Sequence, residues 1–74
     1  MSIHVTAPLV DGGLWEQTFP ERLWRDYRRL ERQGFTGKRL VHELLGDDWG
    51  PPPRRVALSG TCDGKRVEAS IPYE

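Results

Sequence analysis

Metal-ligating side chains come closest together just after the middle of the chain. His42, Glu43, Asp47 and Asp48 supply one imidazole and three carboxylates, the donor types that bind divalent cations. Their spacing matches no established metal site. Carboxylates in such a position more often cap the following turn, so we expect no metal here.

Nucleophilic chemistry has even fewer candidates. Cys62 is the only cysteine and lies far in the sequence from either histidine, so no nucleophile with an adjacent base is predicted. We expect Cys62 to be an exposed thiol beside a hairpin tip. The prediction is a non-enzymatic protein with no catalytic residue and no cofactor, with a small-molecule enzyme as the third-ranked alternative.

Composition also bears on location. A single cysteine excludes a disulfide scaffold and favours a reducing compartment. Residues 1–6 lack the basic and apolar runs of a secretory signal, and no run of about eighteen apolar residues is present to span a membrane. We expect a soluble, cytoplasmic protein with no membrane partner.

Charge distribution is the clearest binding signal. The formal net charge is zero, yet residues 22–39 hold seven basic and two acidic side chains. On a helix, Arg22, Arg25, Arg29 and Arg32 would share one exposed face. Such a face suits phosphates or carboxylates, although a merely solvated face is the alternative. Nucleic-acid binding through this face is the second hypothesis, after association with a protein.

Three tryptophans are many for a chain of 74 residues. Trp15 and Trp49 are candidate partner-binding residues because tryptophan is common at interface centres, although a small core would also use them. Trp49 precedes the run Pro51-Pro52-Pro53. That run is either a polyproline ligand or, as we favour, a stiff crossover with Trp49 covering the core.

The first predicted helix spans residues 19–33. Thr18 and Glu21 form a capping-box pattern, and Pro20 is tolerated in a first turn. Gly34 is expected to end the helix in a left-handed conformation, with Leu30 contacting Phe35. Its apolar stripe is formed by Leu23, Tyr27 and Leu30.

The second predicted helix begins after Thr36 as N-cap and ends at Gly46. One side of it is apolar and carries Leu40, Val41, Leu44 and Leu45. Because only three residues separate it from the first helix, the two should form an αα-hairpin or a sharper corner.

The C-terminal hairpin can be placed residue by residue. Asp63-Gly64 suits a two-residue turn with positive φ at both positions. Counting outward pairs Cys62 with Lys65 and Val56 with Ile71, which puts the apolar residues of both strands on one face. Pro72 cannot donate to a ladder, so its strand should weaken there or lie at an edge.

An N-terminal hairpin is predicted around Asp11-Gly12-Gly13. A three-residue loop would place Leu9 opposite Trp15 and Val5 opposite Phe19. Pro8 removes one ladder donor, so we expect the first strand at an edge of the sheet.

Together these elements predict one small α+β domain over residues 1–74. Its two layers would be an antiparallel sheet built from both hairpins and two helices on one face, in the order ββααββ. A domain of this size has a small core, which favours self-association or association with another protein as its function.

A winged-helix variant is a further nucleic-acid hypothesis. Lys38, Arg39 and His42 would then lie on a recognition helix, and Lys65-Arg66 at the tip of the wing. The preceding helix of that motif is absent, and Asp47-Asp48 follows the reading helix.

About half of the chain resembles a known group of small domains. The run Leu44-Leu45-Gly46-Asp47-Asp48-Trp49-Gly50-Pro51-Pro52, with Ser59-Gly60-Thr61 and Ile71-Pro72-Tyr73, is similar to orphan domains carried on bacterial integron and other mobile gene cassettes. The resemblance implies a bacterial source. It assigns no activity and no site residue.

Overall fold

The computed structural model describes all 74 residues, which form four strands and two helices. The elements are β1 (Ser2–Pro8), β2 (Leu14–Pro20), α1 (Arg22–Arg32), α2 (Gly37–Leu45), β3 (Arg55–Cys62) and β4 (Lys65–Pro72). The strands form one antiparallel sheet in the order β2-β1-β3-β4. The predicted α+β class and the ββααββ order are confirmed.

The core lies between the helices and one face of the sheet. Alternate residues of each inner strand are buried, as expected for a sheet with one covered face. The core consists of Ile3, Val5, Ala7, Leu23, Tyr27, Leu30, Leu40, Val41, Val56, Leu58 and Ile71. The predicted stripe of α1 and the C-terminal apolar face are therefore confirmed.

The C-terminal hairpin has the predicted register. Cys62 pairs with Lys65 and Val56 with Ile71. The turn residues Asp63 and Gly64 have φ values of 53° and 77°, the left-handed conformation that a two-residue turn of this kind requires. The edge position of β4 accommodates Pro72 at its end.

The predicted register of the N-terminal hairpin is wrong by two residues. Ala7, not Leu9, pairs with Trp15, and Ile3, not Val5, pairs with Phe19. The turn is centred on Asp11 instead of Gly12, and the Leu9 N–H donates to the Gly13 carbonyl over 2.8 Å. A shift of two keeps every side chain on its predicted face.

The expected edge position of β1 is also wrong, since β1 lies between β2 and β3. Pro8 is tolerated because it is the last residue of that strand. Beyond it, Leu9 forms a bridge to Pro53, and the Val10 N–H donates to the Pro52 carbonyl. The proline run is therefore a crossover paired with the N-terminal loop.

Helix α1 begins later than predicted. Thr18 and Pro20 belong to β2, where they pair with His4 and Ser2, and Glu21 is the N-cap without a side-chain capping bond. The predicted capping box does not form, because Thr18 is paired in the sheet instead of capping the helix. The predicted end is confirmed: Gly34 has a φ of 93°, and the Phe35 N–H donates to the Leu30 carbonyl, as in a Schellman motif.

Helix α2 has the predicted bounds, with Thr36 as N-cap and Gly46 as C-cap. Thr36 makes no side-chain capping bond. Instead, the Lys38 N–H at this end of the helix donates to the Glu74 carbonyl over 3.0 Å. The segment that follows β4 is thereby held against α2.

Candidate functional site

The predicted arginine face lies on the exposed side of α1. Arg22, Arg25, Arg29 and Arg32 lie away from the core, while the opposite side of the helix enters it. Arg29 forms an ion pair with Asp26 at 3.1 Å. Exposed pairs of this kind contribute little to stability, so their cations stay available to a partner of higher negative charge.

Arg25 connects α1 to the turn of the C-terminal hairpin. Its Nη2 donates to Asp63 Oδ1 over 3.1 Å, and the Asp63 backbone N–H donates to Glu21 Oε2 over 2.9 Å. The hydrogen bond that Arg25 donates to Asp63, and next the negative charge of Asp63, raise the pKa of Arg25, which remains a full positive charge. These two contacts fix the position of the turn relative to the first turn of α1.

A groove of about 410 Å³ lies beside this connection, between α1 and the β3–β4 hairpin. We call it the basic groove. Four of its lining side chains are cations, Arg25, Arg28, Arg32 and Lys65, against one carboxylate, Asp63. Its apolar lining is supplied by Trp24, Cys62 and Val67.

Sequence reasoning missed part of this groove. Arg28 was left out of the predicted face, although it is one turn from Arg25 and Arg32 and helical spacing alone could have included it. Trp24, which also lines the groove, packs against Tyr27 with ring centroids 5.1 Å apart. Lys65 joins the groove only through the folding of the hairpin, so no local sequence signal identifies it.

Cys62 is buried, and the prediction of an exposed thiol is wrong. Cys62 lies an even number of residues from Val56 and Leu58 along β3, so its side chain points to the same covered face of the sheet. Burial, and next the charge of Asp63, raise the pKa of the thiol, which disfavours the reactive thiolate. Ligand atoms of Glu21, Cys62 and Asp63 lie within 4.8 Å of one another, but the Asp63 carboxylate already accepts a hydrogen bond from Arg25, and the Glu21 carboxylate accepts one from the Asp63 backbone N–H.

Trp15 and Trp49, predicted as partner-binding residues, lie together in the structure. Their rings meet edge to face with centroids 4.9 Å apart, and the Trp49 indole N–H donates to the Gly46 carbonyl over 3.0 Å. Trp15 also contacts Phe19, at 6.4 Å between ring centroids. All three rings are half-buried and pack on the margin of the core. We call them the aromatic cluster.

The aromatic cluster lies at a free edge of the sheet. Strand β2 pairs with β1 along its seven residues and has no neighbour on its other side. At the loop end of the same hairpin, Leu14 and Val10 are 62% and 48% exposed. An edge strand with adjoining exposed apolar side chains is a surface on which another chain can pair.

The sequence cluster from His42 to Asp48 is not assembled into a ligand set. His42 is hydrogen-bonded to the Tyr73 hydroxyl, and Glu43, Asp47 and Asp48 are exposed. The two basic residues of the predicted recognition helix also have aromatic partners, since Lys38 lies over the Tyr73 ring and Arg39 over the Phe35 ring.

On the uncovered face of the sheet, His4 lies between Thr18 and Glu16. Its Nδ1 is 3.4 Å from Thr18 Oγ1, and its Nε2 is 3.4 Å from Glu16 Oε2. These distances are at the long end of the hydrogen-bonding range. The three groups are exposed, and the arrangement amounts to a cross-strand polar contact.

Comparisons with family models, with curated proteins and with solved structures found no match to this chain. The resemblance to cassette-borne domains therefore stays a prediction. No helix in the structure combines the length and apolar character needed to cross a membrane.

Proposed function

We propose that this protein is a non-enzymatic association module that forms a two-fold dimer through the free edge of β2. The observation that carries the proposal is the coincidence of that edge with the aromatic cluster. Main-chain pairing would supply hydrogen bonds, and the half-buried rings would supply apolar contact area. A small core gains stability from such added burial.

The two sheet edges differ in how well they suit pairing. Strand β4 carries Lys65, Arg66 and Glu68, whereas β2 carries Glu16 as its single charged residue. Charged side chains on an edge strand oppose the approach of a second strand. The difference favours β2 as the strand that pairs.

Two-fold symmetry defines a register for this dimer. In antiparallel pairing centred on Gln17, Trp15 lies opposite Phe19 of the second copy, and Glu16 lies opposite Thr18 of the second copy. Centring on Glu16 would instead place two carboxylates opposite each other. Gln17 is exposed in the monomer and is the middle residue of β2.

A charge exchange at Gln17 tests this register. Gln17→Lys and Gln17→Glu each place like charges at the two-fold axis, so each variant alone should be monomeric in sedimentation equilibrium. Mixed in equal amounts, they should form a heterodimer, because opposite charges then meet. The matched control, Ser70→Lys on the other edge strand, should leave the wild-type dimer intact.

Concentration dependence gives the second measurement. The melting temperature of the wild-type protein should rise with its concentration because dimerisation stabilises the folded state. A strictly monomeric wild-type protein at high micromolar concentration, with a constant melting temperature, would refute the proposal. Loss of dimer in Ser70→Lys alone would transfer the interface to β4.

A bacterial cytoplasm is the setting that we propose for this dimer. The buried single cysteine is compatible with a reducing compartment, and the cassette resemblance suggests a bacterial source. Fractionation of cells expressing the native gene would test the location directly.

A further inference from the structure

We propose that the basic groove binds single-stranded nucleic acid, with Arg28, Arg32 and Lys65 contacting phosphates and Trp24 stacking on a base. The dimer would use the β2 edge, whereas this groove is formed by α1 and the hairpin of β3 and β4. The two proposals therefore rest on different residues and can fail separately.

Charge is the first argument for this ligand. The groove is lined by four cations and one carboxylate although the formal net charge of the chain is zero. Asp63 is already bonded to Arg25, and Arg28 pairs with Glu31 at 3.5 Å between exposed groups. Arg32 and Lys65 take part in none of the ion pairs of the structure. An anionic ligand would therefore contact two unpaired cations, Arg32 and Lys65, and a third, Arg28, whose ion pair with Glu31 is weak.

The aromatic side chain in the groove also favours a nucleic-acid ligand. Trp24 is half-buried and lines the groove beside these cations, and its ring packs against the ring of Tyr27. Bases stack on such rings regardless of sequence, and the surrounding cations follow the phosphate backbone. An acidic peptide would use the cations but would gain little from the indole ring.

The length of the charged surface favours single-stranded nucleic acid over a free nucleotide as the ligand. Arg25 and Arg32 are separated by about 10 Å along the helix axis, which exceeds what a single phosphate group contacts. Outside the groove, Arg22 adds a further exposed cation one turn before Arg25 on α1. Several consecutive phosphates are needed to use these positions together.

Fluorescence anisotropy with a labelled, mixed-sequence single-stranded oligonucleotide provides the test. The double variant Arg28→Gln with Arg32→Gln should weaken binding by about tenfold at low salt. It should also reduce the slope of log K against log salt by about 0.7 for each phosphate that the variant no longer neutralises. The matched control, Arg54→Gln with Arg55→Gln, removes the same charge at the opposite end of β3 and should leave the slope unchanged.

Substitutions of Trp24 distinguish the contribution of base stacking to binding from that of charge. Trp24→Leu should weaken binding by about tenfold, whereas Trp24→Phe should retain most of it because a ring remains. Thermal unfolding of both variants shows whether the fold is intact, and the Phe variant keeps the test decisive if the Leu variant is unstable.

Four outcomes would overturn the proposal. They are no binding of the single strand at low salt, equal weakening by the control pair, tighter binding of duplex than of single strand, and full affinity in a folded Trp24→Leu variant. A polyglutamate peptide that binds as tightly as the oligonucleotide would assign the groove to acidic proteins. Adenosine monophosphate binding of equal affinity would assign it to free nucleotides.

Discussion

Arg25 of α1 donates a hydrogen bond to Asp63 of the β3–β4 turn, over 3.1 Å and 38 positions of sequence. The Asp63 backbone N–H, in turn, donates to Glu21 at the start of the same helix. Asp63 has a φ of 53°, and the turn conformation directs its backbone N–H and its side chain toward α1. The hairpin turn and the helix are thereby held together at one end of the basic groove.

The turn itself gives the first prediction. Gly64→Val should lower the free energy of unfolding by about 1–3 kcal/mol, because a β-branched residue resists the φ of 77° found there. A side chain at this position would meet open space, so the cost comes from the backbone. Gly64→Asn is the control and should be nearly neutral, since asparagine tolerates this conformation. Equal stability of the Val and Asn variants in urea unfolding would contradict the interpretation.

Gly60 gives a second prediction, in which a steric overlap adds to the strain of a positive φ of 154°. A Cβ atom here would overlap the Ser2 carbonyl oxygen of the neighbouring strand, and backbone in a sheet cannot move aside cheaply. Gly60→Ala should lower the free energy of unfolding by about 2 kcal/mol or more, the scale of overpacking in a dense interior. Urea unfolding measures the change, and Ala57→Gly in the same strand is a comparison without a clash. A neutral Gly60→Ala variant would show that β1 and β3 can separate locally.

Helix α1 allows core and charge to be compared directly. Leu30 is 6% exposed, so Leu30→Ala should lower the free energy of unfolding by about 2–4 kcal/mol through reduced burial and a partial cavity. The double variant Arg25→Gln with Arg29→Gln should lower the free energy of unfolding far less than Leu30→Ala does, because both ion pairs are exposed. If the arginine variant proves the less stable of the two in chemical denaturation, the contact with Asp63 is structural.

The raised pKa of Tyr27 predicts that the protein becomes less stable in alkaline solution. Burial, and next the charge of Glu31, raise the pKa of its hydroxyl, so the folded state holds the proton more tightly than the unfolded state does. Stability from this group is complete below the ordinary tyrosine pKa and falls as the pH rises through the folded-state pKa. Tyr27→Phe should make this decline shallower when unfolding is measured over a series of alkaline pH values. An unchanged decline would place its cause in another group.

Much of the fold follows from local sequence signals. The Asp63-Gly64 turn sets the register of the C-terminal hairpin, because turn geometry and the two-residue side-chain period act over neighbouring residues. The Leu30, Gly34 and Phe35 pattern determines the end of α1 in the same way. Exposure of the arginine face also follows from helical spacing alone.

Other features were decided by competition between distant segments. Thr18 carries a capping signal, but its pairing with His4 satisfies the backbone of β2 and brings Phe19 against the core, so the strand extends to Pro20. The position of β1 inside the sheet depends on its pairing with β3, more than 50 residues away in sequence. Local propensity contains no information about that choice.

The candidate sites likewise combine features that follow from the sequence with features that depend on tertiary packing. Helical periodicity places Arg22, Arg25, Arg29 and Arg32 on one face, and composition makes tryptophans available for contacts, because both are properties of the chain before it folds. Only the tertiary structure brought Trp15 against Trp49, placed Lys65 beside Arg28 and Arg32, and buried Cys62. Each of these arrangements joins residues from separate elements, and their proximity depends on how the hairpins and helices pack together.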